Sequence, residues 1–142
     1  MTDEEYGLES LNGWALLACM IYGECRSCCV AEQVAVGNVA KNRLLSMTWY
    51  GKTWKEVLLK PKQFSCFNEG DPNRPKMLQA WHDRHNNPDM RQARCIAHGI
   101  MNGDFKDNTK GANHYHHNSI RPKWSEGVKP VVVFEHHVFY KL

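Results

Sequence analysis

Apolar residues near the start of the chain recur with the spacing of one buried helical face. Between Leu11 and Tyr22 they fall at the i, i+3, i+4 and i+7 positions that are typical of an amphipathic helix packed on a core. This pattern predicts a helix that ends at about Glu24, with Ser10 as its N-terminal cap. Residues 30–45 carry a second helical pattern, so a second helix is expected to follow closely.

The middle of the chain carries signals for helix boundaries. Thr53 and Glu56 have the spacing of a capping box, in which two side chains satisfy free backbone N–H groups, and they predict a short third helix. Residues 76–84 predict a fourth helix. Pro88 suits the first turn of a fifth helix, and Gly103 suits the position just after its end.

The hydrophobic pattern changes in the last part of the chain. Residues 131–134 and 138–140 are rich in Val, Phe and Tyr and predict two β-strands joined by a tight connection at 135–137. Helices followed by strands predict an α+β fold, a mainly helical lobe that faces a small antiparallel β-sheet across a cleft. With 142 residues, 42% of them hydrophobic, residues 1–142 are expected to form a single domain.

Glu24 is the first candidate for chemistry, because it lies at the end of the apolar first helix. The negative end of the helix dipole and the apolar surroundings both disfavour the carboxylate, so we expect them to raise its pKa. A carboxyl group that keeps its proton near neutral pH can act as a general acid, as in the cleavage of glycosidic bonds. The alternative, a solvated surface glutamate, stays open at this stage.

Several short motifs follow one another in a characteristic order. They are Tyr22-Gly23-Glu24-Cys25-Arg26, Gln33-Val34-Ala35-Val36-Gly37-Asn38-Val39, Asn42-Arg43, Pro61-Lys62-Gln63-Phe64-Ser65, Gly111-Ala112-Asn113-His114-Tyr115-His116 and His137-Val138-Phe139-Tyr140. With these motifs the chain resembles the SleB-type cell wall hydrolases, the spore-cortex-lytic enzyme family. Each motif is short, but their common order makes the resemblance specific over nearly the whole chain.

The resemblance implies a lysozyme-like α+β catalytic domain that cuts the glycan strands of peptidoglycan. The implied bond lies between N-acetylmuramic acid and N-acetylglucosamine, and the usual activity is that of a lytic transglycosylase. Glu24 takes the position of the family's catalytic glutamate. The chain departs from the family motif at Cys28, which replaces a second glutamate, and at Ser27, which replaces a glycine. This departure favours a mechanism with one carboxyl group.

Five further residues are candidates for binding the substrate. Gln63, Phe64 and Ser65 lie in a predicted surface loop and supply an amide, a ring and a hydroxyl group, which suit the hydroxyls, N-acetyl groups and ring faces of sugars. His114 and Tyr115 lie at a predicted junction of loop and strand, where they can bind substrate or support the catalytic residue. Structural roles stay open for all of them: Phe64 would fill the core, and the other side chains would make only structural hydrogen bonds.

Other functions stay open as well. A hydrolytic lysozyme needs a second carboxylate, and the candidates are Glu32, Glu69, Asp71 and Asp104. A zinc-dependent amidase or peptidase would draw its ligands from the histidines at 114, 116 and 117 and from a cysteine, although such histidine clusters are more often solvated surface. A non-catalytic module that binds the wall or a nucleic acid is suggested by the basic and aromatic residues at 121–124. We expect no metal, no cofactor and no nucleic acid partner.

The net charge and the N-terminal residues indicate which polymer the protein suits and where it is made. A net charge of +3 suits an anionic polymer such as the cell wall and is too small to require a nucleic acid. Residues 1–5 include three acidic side chains, where a secretory signal would be basic. We therefore expect synthesis in the cytoplasm without a signal peptide and no stable membrane insertion. The expected protein is a monomer that reaches peptidoglycan through a holin-type pore, as phage endolysins do.

Six cysteines raise the question of disulfide bonds. For a protein made in the cytoplasm we expect reduced thiols that act as small hydrophobic groups. Cys25 and Cys28 have the spacing of a redox or zinc pair, but the sequence has no second Cys-x-x-Cys pair to complete a site. The sequence signal for a metal is therefore weak.

Overall fold

The computed structural model describes residues 3–142, and their side chains from residue 7 onward. This described part confirms the predicted α+β fold, since six helices come first and a three-stranded antiparallel sheet follows. The helices are α1 (Asp3–Ser10), α2 (Gly13–Cys25), α3 (Val30–Ser46), α4 (Trp54–Leu59), α5 (Asn73–His82) and α6 (Pro88–Asn102). Between residues 3 and 142 no helix is long and apolar enough to cross a membrane.

α2 is the central helix of the fold. Ten of its 13 residues are buried, so it packs on several sides, against α3, α4, α5 and α6. Its N-terminal cap is Asn12, whose side-chain oxygen accepts a hydrogen bond from the N–H of Ala15 at 2.9 Å. The predicted Ser10 cap is wrong, because Ser10 ends α1, where its hydroxyl donates to the carbonyl oxygen of Gly7 at 2.7 Å.

The later helices follow their local signals closely. The Thr53 hydroxyl accepts from the N–H of Glu56 at 3.1 Å at the start of α4. α6 ends at Gly103, whose φ of 78° lies in the left-handed region that glycine adopts without strain. α5 begins earlier than predicted, at Asn73, because the Asp71 carboxylate accepts from the Asn73 N–H at 2.8 Å and starts the turn.

Three helices meet at one glycine of α3. A Cβ atom at Gly37 would lie 2.4 Å from Cδ1 of Ile100 in α6 and 3.3 Å from Cδ1 of Ile21 in α2. Both distances are shorter than a normal carbon–carbon contact. The missing side chain therefore lets α3 pack closely on α2, the helix that carries Glu24 at its end.

The sheet consists of β1 (His114–His117), β2 (Val132–Val133) and β3 (His137–Tyr140) in the order β1-β3-β2. Both neighbours run antiparallel to β3, and Phe139 of β3 lies opposite Tyr115 in β1 and Val132 in β2. β2 and β3 confirm the two predicted strands, although β2 is shorter than predicted and β3 begins one residue earlier. The prediction that His137 lies in the connection is wrong, because it is the first residue of β3 and only 2% exposed.

Candidate active site

Glu24 lies in the last turn of α2 and lines a cleft of about 540 Å³. The end of α2 and the segment 62–65 line one part of the cleft, and β1 with the residues after it lines another. Side chains in this lining include Arg43, Gln63, Ser65, Tyr115 and Trp124. Residues from distant parts of the chain thus meet around one carboxyl group.

The carboxyl group of Glu24 is partly buried and only weakly hydrogen-bonded. Its Oε1 atom accepts from the hydroxyl of Ser65 and from the backbone N–H of Cys66, each at 3.3 Å. Burial raises the pKa of Glu24, these hydrogen bonds oppose the rise, and the negative charge of Asp71 adds to it. Hydrogen bonds of this length stabilise the anion little, so Glu24 keeps its proton to a higher pH than a solvated glutamate does.

The glycine before Glu24 allows this arrangement. A Cβ atom at Gly23 would lie 2.6 Å from Cβ and 3.0 Å from Sγ of Cys66, so no other residue fits there without movement. Because Gly23 has no side chain, the segment that contains Ser65 and Cys66 lies directly against the end of α2. This close approach brings the two hydrogen-bond donors to the Glu24 carboxyl group.

Arg43 of α3 joins the two loops that line the cleft. Its Nε atom donates to the carbonyl oxygen of Asn113 at 2.8 Å, and its Nη1 atom donates to Oε1 of Gln63 at 3.2 Å. The guanidinium also lies over the rings of Tyr50 and Phe64, at 4.7 and 5.0 Å from their centres, a favourable cation–π arrangement. No role for Arg43 was predicted from the sequence, although it belongs to the Asn42-Arg43 motif.

Gln33 holds the turn that follows Glu24. Its Nε2 atom donates to the carbonyl oxygen of Cys25 at 3.0 Å, and its Oε1 atom accepts from Nε2 of Gln92 in α6 at 2.9 Å. Gln33 is 1% exposed, and its hydrogen bond to the Cys25 carbonyl oxygen is buried. The Gln33 side chain therefore fixes the C-terminal end of α2, and with it the backbone next to Glu24.

The structure separates the five predicted substrate-binding residues into two groups. Gln63, Ser65 and Tyr115 line the cleft. The ring of Phe64 is 2% exposed and packs behind the lining, stacked on Tyr115 at 6.5 Å between ring centres, so it offers no surface to a glycan. His114 is half-buried, and its Nδ1 atom contacts Oδ1 of Asn113 at 2.8 Å. Its burial and the Arg43 charge lower the pKa of His114 to about 4, so its ring is neutral at neutral pH.

The histidines of β1 make structural contacts. Nε2 of His116 lies 2.9 Å from the hydroxyl oxygen of Tyr140, and its Nδ1 atom lies 2.8 Å from the carbonyl oxygen of His117. His114, His116 and His117 do not form a ligand cluster. Among the side chains that the structure describes, residues 7–142, the one group of three or more potential metal ligands lies elsewhere, at Cys25, Cys28, Glu32 and His137.

Cys25 and Cys28 form a disulfide bond across the turn after α2, with their Cα atoms 5.3 Å apart. For this pair the expectation of reduced thiols is wrong, because the turn brings the two side chains within bonding distance. Cys19, Cys29, Cys66 and Cys95 are free thiols. Burial raises the pKa of the Cys19 thiol to about 12, so this thiol stays protonated and behaves as a small hydrophobic group.

The acidic residues that were candidates for a second carboxylate are scattered. Glu32 is fully buried, and its Oε2 atom lies 2.5 Å from Nδ1 of His137, so it is not open to substrate. Glu69 and Asp104 line other grooves of the surface. Asp71 is the exception, since it lies close enough for its charge to raise the pKa of Glu24.

A family model described as Cell Wall Hydrolase matches residues 29–140. The matched part includes Gln33, Arg43, the segment 63–65 and all three strands, and it begins five residues after Glu24. Neither a curated protein nor a solved structure matches the chain.

Proposed function

Because the chain belongs to the cell wall hydrolase family and thus to the enzymes that degrade peptidoglycan, we propose that it is a lytic transglycosylase. The proposed reaction breaks the β-1,4 bond between N-acetylmuramic acid and N-acetylglucosamine, with Glu24 as the general acid and then the base. The observation that carries this proposal is the Glu24 carboxyl group, which lines a cleft and has a raised pKa.

In the first step Glu24 donates its proton to the glycosidic oxygen. Protonation turns the departing sugar into a neutral alcohol, and positive charge develops at C1 of the muramic acid ring. Burial favours the neutral form of Glu24, which is the form that can donate this proton. General acid catalysis of this kind accelerates such reactions by roughly 10²- to 10⁴-fold.

In the second step the Glu24 carboxylate takes the proton of the muramyl 6-hydroxyl group. The oxygen of that hydroxyl then bonds to C1 and closes a 1,6-anhydro ring. Ser65 Oγ and the Cys66 N–H, which contact Oε1 at 3.3 Å, hold the carboxyl group in position through both steps. Glu24 ends the cycle protonated, so one carboxyl group serves both steps and no water is consumed.

The remaining cleft residues suit an extended glycan. Trp124 is 38% exposed and Ile120 is 55% exposed, and both line the same cleft as Glu24. An exposed indole ring can stack on the apolar face of a sugar ring. The Gln63 side chain, oriented by Arg43, and the Tyr115 hydroxyl supply hydrogen bonds for N-acetyl and hydroxyl groups. The cleft therefore combines a stacking surface with polar groups beside the acid.

Asp71 supports a second candidate function, that of a hydrolytic lysozyme. Its charge acts on Glu24, as expected for a pair of carboxyl groups near one glycosidic bond. In this alternative Asp71 would assist a water molecule or attack C1, and the product would be a reducing end. The Asp71 carboxylate already accepts a hydrogen bond from the Asn73 N–H at 2.8 Å in the turn before α5, which favours a structural role.

Product analysis distinguishes these functions. Purified peptidoglycan is digested in ¹⁸O-labelled water and the muropeptides are analysed by mass spectrometry, with Glu24→Gln as the inactive control. A transglycosylase gives 1,6-anhydromuramic acid ends without label from the first time points. Labelled reducing ends would identify a lysozyme. Free stem peptides on intact glycan strands would identify an amidase, and no product would indicate a wall-binding module.

A further inference from the structure

Four side chains with metal-ligand chemistry converge next to the active-site cleft. They are Cys25, Cys28, Glu32 and His137, called here the Cys25–His137 cluster, and their ligand atoms all lie within 4.8 Å of one another. We propose that this cluster binds one Zn²⁺ ion when its two cysteines are reduced.

The donor set determines the type of metal. Two thiolates, one imidazole and one carboxylate suit Zn²⁺, which is bound by sulfur, nitrogen and oxygen in four-coordinate sites. Thiolates are poor ligands for Ca²⁺ and Mg²⁺, which bind oxygen. Glu32 is 0% exposed, Cys25 and His137 are each 2% exposed, and Cys28 is 9% exposed. The site is therefore closed to substrate, so the ion has a structural role.

The distances to Nδ1 of His137 require only small shifts to accommodate the ion, and the two sulfur atoms separate when the disulfide is reduced. In a tetrahedral zinc site with these ligands, neighbouring donor atoms are about 3.3 to 3.8 Å apart, given metal–ligand distances of about 2.0 to 2.3 Å. Sγ of Cys25 lies 4.0 Å from Nδ1 of His137, and Oε2 of Glu32 lies 2.5 Å from the same nitrogen. The first distance shortens slightly and the second lengthens by roughly 1 Å, because the ion replaces the direct contact between Glu32 and His137.

The disulfide and the zinc ion exclude each other. In the structure the two sulfur atoms are bonded to one another, and a disulfide has no thiolate to offer a metal. Reduction adds two electrons and two protons to give two thiols. Zinc binding then releases both thiol protons and leaves two thiolates on the ion. The cluster therefore has two alternative cross-linked states, one oxidised and one loaded with zinc.

The zinc state would connect three separate elements. Cys25 is the last residue of α2 and follows Glu24, Glu32 is in the first turn of α3, and His137 begins β3. Cys25 and His137 are 112 residues apart, which is why the sequence alone led us to expect no metal. None of the four residues touches the reacting atoms in the proposed mechanism, so the zinc site is independent of the transglycosylase proposal.

The experiment uses the full chain, purified without a metal-affinity column. The disulfide is reduced with a phosphine, which is oxidised to the phosphine oxide. A chelator removes any bound metal, and Zn²⁺ is then added in excess. Unbound metal is removed by gel filtration, and bound zinc is measured by inductively coupled plasma mass spectrometry. We expect one zinc per chain and a Tm at least about 4 °C above that of the reduced apoprotein. Binding is lost in Cys28→Ser and in Glu32→Gln, and it is kept in Cys95→Ser, which alters an exposed free thiol.

Three results would overturn the proposal. They are less than about one zinc per ten chains in folded, reduced protein; full binding in Cys28→Ser; and equal binding in oxidised and reduced wild type. The last comparison needs no variant, so it decides the matter even if a substitution prevents folding. Circular dichroism of each sample checks that the protein is folded.

Discussion

Glu24 and Glu32 are eight residues apart on either side of one turn, yet their surroundings differ in every respect that matters for catalysis. Glu24 faces a cleft, and its two hydrogen bonds are 3.3 Å long. Glu32 is fully buried and contacts Nδ1 of His137 at 2.5 Å and the N–H of His136 at 3.2 Å. Burial alone therefore does not distinguish the two acids. They differ in their access to the cleft and in the length of the hydrogen bonds to their oxygens.

The position on the helix adds to this difference. Glu24 lies in the last turn of α2, where the helix dipole disfavours a negative charge, whereas Glu32 lies in the first turn of α3, where the dipole favours it. Glu24 thus lies where its pKa is raised. The oxygens of Glu32, in contrast, contact the His136 N–H and the His137 ring.

The largest expected effect is on activity, from Glu24→Gln. The amide keeps the shape of the side chain but has no proton to transfer, so the rate of peptidoglycan cleavage falls by roughly 10²- to 10⁴-fold. The rate is measured by turbidity loss of purified cell walls at equal concentrations of folded protein. Retention of more than about a tenth of the wild-type rate would remove Glu24 from the acid role.

The second prediction concerns stability, from Glu32→Ala in the oxidised protein. The substitution removes the oxygens that accept from the His136 N–H and contact Nδ1 of the buried His137 ring, and each buried polar group left without a partner lowers the free energy of unfolding by about 1 to 3 kcal/mol. Denaturant titration measures this loss. The rate per folded molecule is expected to change much less than in Glu24→Gln. A fall in rate as large as that of Glu24→Gln with unchanged stability would contradict the comparison.

Gly23→Ala is expected to affect both activity and stability. The new methyl group would lie 2.6 Å from Cβ of Cys66, so the segment that carries Ser65 has to move away from α2. We expect a loss of about 1 to 3 kcal/mol in the free energy of unfolding and a rate lower by roughly 10- to 100-fold. Gly7→Ala is the matched control, because a Cβ atom at Gly7 meets nothing within 4 Å. Equal effects of the two substitutions would show that the close approach at Gly23 is unimportant.

The smallest expected effect comes from Ser65→Ala. The Ser65 hydroxyl lowers the pKa of Glu24, so its removal raises that pKa further. The acid is active when protonated, and the rate falls as the pH rises through its pKa. The falling limb of the pH–rate profile is therefore expected to move to higher pH in Ser65→Ala, with a rate at low pH within roughly tenfold of wild type. An unchanged falling limb would show that the Ser65 hydroxyl does not affect the pKa of Glu24.

The fold was predictable wherever the signal is local. α4 and α6 follow from Thr53, Pro88 and Gly103, because caps and left-handed glycines act within a few residues. The start of α2 was missed because Ser10 and Asn12 are both good caps, and only the packing of α1 decides between them. β1 was recognised only as a junction, since His114–His117 lacks the branched residues that indicate strands.

The site was predictable only in part, for a physical reason. The apolar helix indicated Glu24, and the motifs indicated Gln63, Ser65 and Tyr115. The contact between Glu32 and His137 spans 105 residues, and no periodicity within one element reports such a contact. The buried position of Phe64 also follows from tertiary packing, under Arg43 and beside Tyr115.

The most direct test of the central claim is a titration of the Glu24 carboxyl group. The ¹³C chemical shift of its side chain is followed by NMR against pH, with Glu24→Gln used to assign the signal, and compared with the pH–rate profile of wild type. We expect a Glu24 pKa above the usual glutamate value and a falling limb of activity at the same pH. A Glu24 that titrates as a solvated glutamate, or a limb at a different pH, would contradict it.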